Sequence, residues 1–274
     1  MKRIFLAILA VLLFSMSGCA SVPEGDKMYI TCFDVGQADS FLIQCGGETM
    51  LMDTGTQSDG IAVAAEMTKM GVKHIDYLMI THFDKDHVGG AAQIIREFDV
   101  ETVLRPTYMK ESEEVTAYLD AMLDKADSVT ESTITDATTI QLGNAEMIIH
   151  PAQQELYEKD PSNNSSLVTE IFHGENSLLF AGDVEKERIE GLLQEDFAWD
   201  YDFLKVPHHG KHEKILAEFF DKIGAESSLI TCSNKNPEEA ETLAVLDKIG
   251  TKYFLTKHGP VLIESDGERL RINQ

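Results

Sequence analysis

The sequence predicts an α/β sandwich built as one domain, and three observations lead to that prediction. The chain has 274 residues, enough for a large core that needs no disulfide support. Short apolar strand-like runs cluster first and then alternate with segments of helical spacing, an order typical of layered α/β folds. Several of these runs end directly in His or Asp, where α/β folds gather their ligands.

The elements are predicted from apolar periodicity and from Gly-containing turns that mark their ends. Predicted strands cover residues 28–33, 41–45, 49–52, 77–80, 138–142, 146–150, 167–172, 177–180, 203–206, 228–231, 253–256 and 261–264. Predicted helices cover residues 61–70, 91–98, 111–126, 185–193, 214–220 and 238–249. Residues 151–166 are expected to form a long polar loop.

The N-terminal segment has the parts of an export signal. Lys2 and Arg3 open the chain, residues 4–14 are entirely apolar, and small residues follow. This order is typical of a secretory signal, and the apolar run is shorter than a typical membrane span. An uncleaved N-terminal anchor helix is the alternative.

The end of that segment, Ser17-Gly18-Cys19, resembles the lipobox of bacterial lipoproteins, although Met16 stands where Leu is usual. The resemblance implies lipidation of Cys19, which anchors a protein to a membrane without spanning it. The expected localisation is the extracytoplasmic face of a bacterial cell membrane, with no obvious protein partner. The expected domains are a lipoprotein signal peptide at 1–18, a linker at 19–27 and one domain at 28–274.

Charge and cysteine content limit the function classes. The chain carries 47 Asp+Glu against 23 Lys+Arg, a net charge of −24, which repels nucleic acid and anionic membrane surfaces. Besides Cys19 there are Cys32, Cys45 and Cys232, an odd number that gives no complete disulfide framework. Cys32 and Cys45 are expected to be buried thiols, with a Cys32–Cys45 bridge as the alternative.

The segment from residue 82 to residue 87 is a candidate metal-binding cluster. His82, Asp84, Asp86 and His87 directly follow an apolar run, and imidazole favours Zn²⁺ while carboxylate favours Mn²⁺. Alternating residues of an extended loop point opposite ways. His82 and Asp84 are therefore expected to share one ion while Asp86 and His87 bind a second; a solvated polar loop is the alternative.

Two later segments repeat this placement. Asp183 follows the predicted strand 177–180, and His208 and His209 follow the predicted strand 203–206. Each alone is a weak signal, since an Asp after a strand is commonly a helix cap and a lone His a packing residue. All three clusters end apolar strands, so they are expected to meet.

Together these stretches resemble the metallo-β-lactamase superfamily, in particular the branch containing the hydrolase domain of ComEC-like competence proteins. The resemblance implies a four-layer αββα sandwich with a binuclear site at one edge. The matching stretches are residues 33–40, 51–55, 81–90, 163–167, 182–183 and 205–210.

The resemblance also implies a ligand set for two divalent ions, Zn or Mn. The superfamily's more common motif has His where Asp84 stands, and Asn163-Asn164-Ser165 occupies the region that often supplies a further His. Site one is therefore expected to be weaker or completed by water and substrate. Metal one would take His82 and Asp84, metal two would take Asp86, His87 and His208, and Asp183 would bridge them.

The remaining site residues are expected to act on water, ligands or substrate. A water between two cations loses its proton near neutral pH, and Asp86 and Asp183 are the expected catalytic residues. Asp53 is expected to fix a ligand or the motif backbone, with a turn-forming role as the alternative. The expected substrate contacts are Asn164, Ser165, His209 and Asn234.

Phosphodiester hydrolysis is the leading functional hypothesis, because carboxylate-rich binuclear sites suit phosphoryl oxygens. The resemblance implies single-stranded DNA as substrate class, but the acidic chain lacks a basic tracking groove. A small phosphodiester or an envelope polymer with phosphodiester links fits better. The alternatives are β-lactam or lactone hydrolysis, and a non-catalytic envelope or DNA-uptake accessory protein.

Overall fold

The computed structural model describes residues 25–274 except residues 196 and 198. The predicted signal peptide at 1–18, the lipidation site Cys19 and residues 20–24 of the predicted linker lie outside the described residues. Within the described part of the chain, no helix combines the length and the apolar character needed to cross a membrane.

The described chain contains fifteen strands, eight α-helices and two short 3-10 turns, the turns at Pro207–Gly210 and Thr256–His258. The strands are β1 (Met28–Cys32), β2 (Phe41–Cys45), β3 (Glu48–Met52), β4 (His74–Met79), β5 (Asp99–Arg105), β6 (Thr130–Thr133), β7 (Thr138–Leu142), β8 (Ala145–His150), β9 (Val168–His173), β10 (Asn176–Phe180), β11 (Phe203–Lys205), β12 (Ser227–Ile230), β13 (Lys252–Leu255), β14 (Val261–Ser265) and β15 (Leu270–Asn273). The helices are α1 (Gln57–Lys69), α2 (Lys85–Val88), α3 (Ala91–Glu97), α4 (Glu113–Asp124), α5 (Pro161–Asn164), α6 (Lys186–Leu192), α7 (Leu216–Ile223) and α8 (Ala240–Ile249).

The strands form two sheets. The first has the order β15-β14-β1-β2-β3-β4-β5-β6 and the second the order β13-β12-β11-β10-β9-β8-β7. Neighbours from β3 to β6 run parallel, and so do neighbours from β10 to β13. The carboxyl ends of parallel strands therefore meet at one edge of each sheet, and the loops that follow them carry the candidate site.

Apolar side chains fill three layers between these elements. The inner faces of the sheets enclose one cluster, in which the rings of Phe41 and Phe180 meet edge to face at 5.2 Å. A second cluster lies between the first sheet and helices α1, α3 and α4. A third lies between the second sheet and helices α6, α7 and α8. The predicted four-layer αββα sandwich is confirmed.

Some elements differ from the prediction for identifiable reasons. Strands β5, β6 and β15 have no predicted counterpart: exposed Asp99 and Glu101 interrupt the apolar pattern of β5, and the other two are polar strands at sheet edges. Helix α1 begins at Gln57 rather than residue 61, because Thr56 and Asp59 form a reciprocal capping box. The predicted loop 151–166 contains the single turn α5.

The cysteines are buried thiols, as expected. Cys32, Cys45 and Cys232 are all free and buried. Cys32 pairs with Phe41 and Cys45 with Met28, so the two thiols lie at opposite ends of the β1–β2 ladder. That separation excludes the alternative Cys32–Cys45 bridge.

Candidate metal centre

The candidate site lies where the loops after β3, β4, β10 and β11 converge. Asp53 follows β3, the segment 82–87 follows β4, Asp183 follows β10, and His209 follows β11. Asp53, His82, His87, Asp183 and His209 are buried. The packing of the two sheets thus brings residues far apart in sequence to one polar cluster.

Three imidazoles aim the same nitrogen into this cluster. The Nε2 atoms of His82, His87 and His209 are buried and make no hydrogen bond of good geometry within the described part of the chain. His87 Nε2 lies 3.3 Å and His209 Nε2 3.1 Å from Asp183 Oδ2. Buried polar atoms without a partner cost free energy, so this convergence fits a metal ion held by imidazole and carboxylate.

The tautomer of His87 follows from its partner Asp53. A carboxylate only accepts, so His87 Nδ1 donates to Asp53 Oδ2 at 2.8 Å. Asp53 also accepts from the backbone nitrogen and the hydroxyl of Thr81, at 2.8 and 2.6 Å. When His87 is neutral, its lone pair is thereby left on Nε2, facing Asp183. Asp53 thus fixes a ligand side chain and also sits at a turn, with φ at 57°.

The tautomer of His209 follows in the same way from Thr231. The Thr231 hydroxyl donates to Asp39 Oδ1 at 2.7 Å, so it accepts from His209 Nδ1 at 2.8 Å. When His209 is neutral, its lone pair is therefore also on Nε2, which lies 3.5 Å from Asp86 Oδ2.

His82 completes the set. Thr81 and Ser166 place their hydroxyl oxygens 3.2 Å from His82 Nδ1. Ser166 Oγ also accepts from the backbone nitrogen of Asp183, which connects His82 to the loop that carries Asp183. Burial and the neighbouring His87 lower the pKa of His82 to about 3, so this imidazole is neutral.

The donor atoms fall into overlapping groups of metal-binding size. His82, His87 and Asp183 form one group, and Asp86, His87 and His209 form another; within each, the donor atoms lie within 4.8 Å of one another. Sharing of His87 and the closeness of Asp183 to both groups indicate adjacent sites around one carboxylate. Such donors suit Zn²⁺, Mn²⁺ or Fe.

The second histidine of the pair after β11, not the first, points into the cluster. His208 Nε2 is 4.0 Å from Asp183 Oδ2, and its Nδ1 lies 2.8 Å from Glu185 Oε1. The His208 side chain is 21% exposed, whereas that of His209 is 1% exposed. The geometry therefore reverses the expectation that His208 is a ligand and His209 a substrate contact. Both residues have left-handed backbone angles, φ 45° and 53°, which turn their side chains in different directions.

Asp84 departs from its expected place. Its Oδ1 accepts from Lys110 Nζ at 2.7 Å. Burial opposes its ionisation, but His82 and Lys110 outweigh that effect and lower the pKa of Asp84. Among the described residues, Asp84 belongs to none of the metal-sized groups around Asp183.

The expected substrate contacts are placed unevenly. Asn164 Oδ1 accepts from the backbone nitrogens of Glu185 and Arg188, and its amide nitrogen donates to a backbone carbonyl. The amide oxygen of Asn164 is thus used in starting α6, and a contact between Asn164 and substrate stays a prediction. Ser165 is buried, and Asn234 is exposed in the loop after β12.

A buried ion pair, for which the sequence predicts no role, lies behind the cluster. Lys205 Nζ lies 2.5 Å from Asp39 Oδ2 and 3.2 Å from Asp183 Oδ1, and it donates to the Gly182 carbonyl at 3.0 Å. Lys205 and Asp39 are both buried. Lys205 therefore engages Oδ1 of Asp183 and leaves Oδ2 facing the imidazoles. A charged residue inside the apolar run Leu204-Lys205-Val206 was the available signal.

Metal binding to this cluster is expected to release protons. Burial opposes a charge on His209, but Asp183, Asp86 and Asp39 raise its pKa to about 9. The metal-free imidazole is thus protonated below that pH, whereas the metal-bound form must be neutral. Metal affinity should rise about tenfold per pH unit from pH 6.5 to 8 for each proton displaced.

Titration calorimetry with Zn²⁺ in buffers of different ionisation enthalpy measures this release. A pH-independent affinity together with a buffer-independent heat would contradict it.

Comparison with known proteins places the fold in a family. A model described as the metallo-beta-lactamase superfamily matches residues 33–232. The chain is 25% identical over 225 residues to ComE operon protein 3 of Bacillus subtilis, covering 76% of this chain and 28% of that protein. It is 22% identical to Recombination protein 2 of Haemophilus influenzae, in a match that covers 89% of this chain and 30% of that protein. It is also 22% identical to competence protein ComA of Neisseria gonorrhoeae, in a match that covers 90% of this chain and 32% of that protein.

The chain therefore spans about a third of the length of these relatives. Their presence confirms, at low identity, the resemblance to the competence-protein branch.

Solved structures show the same fold at low identity. The metallo-beta-lactamase fold protein YhfI from Bacillus subtilis matches with a TM-score of 0.56 and 10% identity, covering 90% of this chain and all of that one. Zn²⁺-bound PqqB from Methylobacterium extorquens matches with a TM-score of 0.53 and 14% identity, covering 79% of this chain and 85% of that one. A diphosphatase from the PhnP family matches with a TM-score of 0.50 and 14% identity, covering 84% of this chain and 94% of that one. With this fold and a family match over well more than half of its length, the chain belongs to the metallo-β-lactamase superfamily.

Proposed function

We propose that this chain is a metal-dependent phosphodiesterase with a binuclear site for Zn or Mn. The observation that carries the proposal is the convergence of three buried imidazole nitrogens, those of His82, His87 and His209, around the carboxylate of Asp183. The proposed ligands are His82 and Asp84 for site one, Asp86, His87 and His209 for site two, and Asp183 between them.

The protein's own groups orient this site. Bound divalent ions supply Lewis acidity that lowers the pKa of a water and offsets charge on a phosphoryl oxygen. Asp53 and Thr231 would keep the lone pairs of His87 and His209 on Nε2 once these imidazoles have lost a proton to bind metal. Burial opposes the ionisation of Asp86, but His209 and His87 hold its pKa well below the usual value, so it remains a carboxylate. Asp86 is 27% exposed and can orient a water at the mouth of the site.

Cationic groups at the rim support an anionic substrate. Lys110 and Lys211 flank the cluster, paired with Asp84 and Glu185, and their side chains are 36% and 46% exposed. His208 lies beside Glu185 at the same rim. These groups can exchange a carboxylate partner for a phosphoryl oxygen.

The substrate class we favour is a small phosphodiester or an envelope polymer with phosphodiester links. The diphosphatase among the structural neighbours supports phosphoryl chemistry. Single-stranded DNA is the competing substrate, but a net charge of −24 weakens binding to a polyanion. We also propose export and lipid anchoring through Cys19, which the intact mass of the protein from membrane fractions tests.

Hydrolysis assays on the full-length chain in detergent test the function. Metal-stripped protein reloaded with Mn²⁺ or Zn²⁺ should hydrolyse bis-p-nitrophenyl phosphate faster than nitrocefin, and chelator should abolish that turnover. A single-stranded oligonucleotide in the same assay tests DNA as substrate. The matched control is His74→Gln, which alters an exposed metal-sized group of His74, Asp76 and Glu101 at the opposite end of β4.

Each other outcome has a defined meaning. Faster nitrocefin turnover would support a lactamase, and no turnover with either metal would support a non-catalytic envelope protein. Loss of activity in His74→Gln would contradict the placement of the site.

A further inference from the structure

The ion pair between Asp84 and Lys110 occupies a carboxylate that is proposed as a ligand of metal one. Lys110, in the segment between β5 and α4, donates to Asp84 Oδ1 at 2.7 Å. The two side chains are 27% and 36% exposed, so neither is locked in the core. An ammonium thus binds the carboxylate that metal one requires.

The rest of site one is short of donors. The group there consists of His82, His87 and Asp183; His87 also belongs to the neighbouring group, and Asp183 Oδ2 lies 3.1 Å from His209 Nε2. Residues 163–165 add amides and a hydroxyl but no imidazole or carboxylate, and Asn164 is used in starting α6. An ion at site one therefore depends on Asp84 more than an ion at site two depends on any one ligand.

Among the described residues, no lysine or arginine forms an ion pair with Asp86, and the other proposed ligands of site two are imidazoles. Asp86, His87 and His209 already lie within 4.8 Å of one another. The buried Lys205 contacts only Oδ1 of Asp183 and leaves Oδ2 for the ions.

We propose that Lys110 competes with metal one for Asp84, so that the chain holds one divalent ion tightly at site two and a second only weakly at site one. This rests on the proposed metal centre. A divalent cation must displace the ammonium to reach the carboxylate, and until then it meets a like charge at short range. At low metal concentration the site therefore carries one ion and one ammonium.

Calorimetry and elemental analysis of the metal-stripped, full-length chain titrated with Mn²⁺ test the proposal. The wild type should bind one ion with a second at least about thirtyfold weaker, and Lys110→Met should tighten the second site about tenfold. The control Lys211→Met removes an equal charge from the same rim, where that lysine binds Glu185 rather than Asp84. It should leave the second Kd within about twofold.

A double variant, Asp84→Asn with Lys110→Met, shows whether the effect passes through Asp84. It should lose the gain of the single lysine variant, because the ligand that Lys110 releases is no longer a carboxylate. Two ions of equal affinity in the wild type, or an unchanged second Kd in folded Lys110→Met, would overturn the role of Lys110 while leaving the metal centre intact. Absence of any tightly bound ion would overturn both.

Discussion

Replacing Asp183 with Asn should lower phosphodiester turnover on the order of 10³-fold, about 4 kcal/mol of transition-state stabilisation. Its Oδ2 is the common neighbour of His87 and His209, at 3.3 and 3.1 Å. The neutral amide removes the charge around which the two proposed ions would be arranged. Metal content by elemental analysis should fall together with the turnover.

The matched control is Asp202→Asn. Asp202 accepts from the backbone nitrogen of Ser177 at 2.7 Å, at the amino-terminal ends of β10 and β11. This carboxylate lies at the opposite edge of the same strands, so its loss should leave metal content unchanged. Full metal loading in Asp183→Asn would refute the proposed ligand set.

Lys205→Met should lower the free energy of unfolding of the metal-free protein by about 3–5 kcal/mol. The substitution leaves Asp39 and Asp183 buried without the cation between them. Chemical denaturation measures the change, and thermal unfolding should shift by roughly 6–20 °C.

A double variant separates the missing cation from the missing side chain. Asp39→Asn with Lys205→Met removes the unpaired charge of Asp39 and should recover at least about 1 kcal/mol of the loss. A loss below about 1 kcal/mol in Lys205→Met alone would show that the buried pair contributes little.

The metal-binding cluster at residues 82–87 was predictable because its imidazoles and carboxylates directly follow an apolar strand. Imidazoles and carboxylates directly follow β4. Asp183 follows β10 and the pair His208-His209 follows β11, so residues of metal-ligand type lie at the carboxyl ends of three strands. The four-layer fold followed from the family resemblance. Strand order, by contrast, depended on pairing: β5 alternates charged with apolar residues, and its place beside β4 is decided by the core that covers it.

The side-chain directions could not be predicted in the same way. Nothing in the pair His208-His209 shows that two successive residues take left-handed backbone angles. Lys110 lies 26 residues from Asp84 in the sequence and belongs to no recognisable motif. Asn164 has the residue type of a substrate contact, but the start of α6 uses its amide. In each case a long-range contact decides what the side chain does.

The positions of the metals test the proposed centre most directly. Crystals of the chain loaded with Mn²⁺ or Zn²⁺, measured at the absorption edge of the metal, give those positions from anomalous scattering. The expected result is a strong peak bounded by Asp86, His87, His209 and Asp183, with a weaker one beside His82. A strong peak between His208 and Glu185, or only at the group of His74, Asp76 and Glu101, would contradict it.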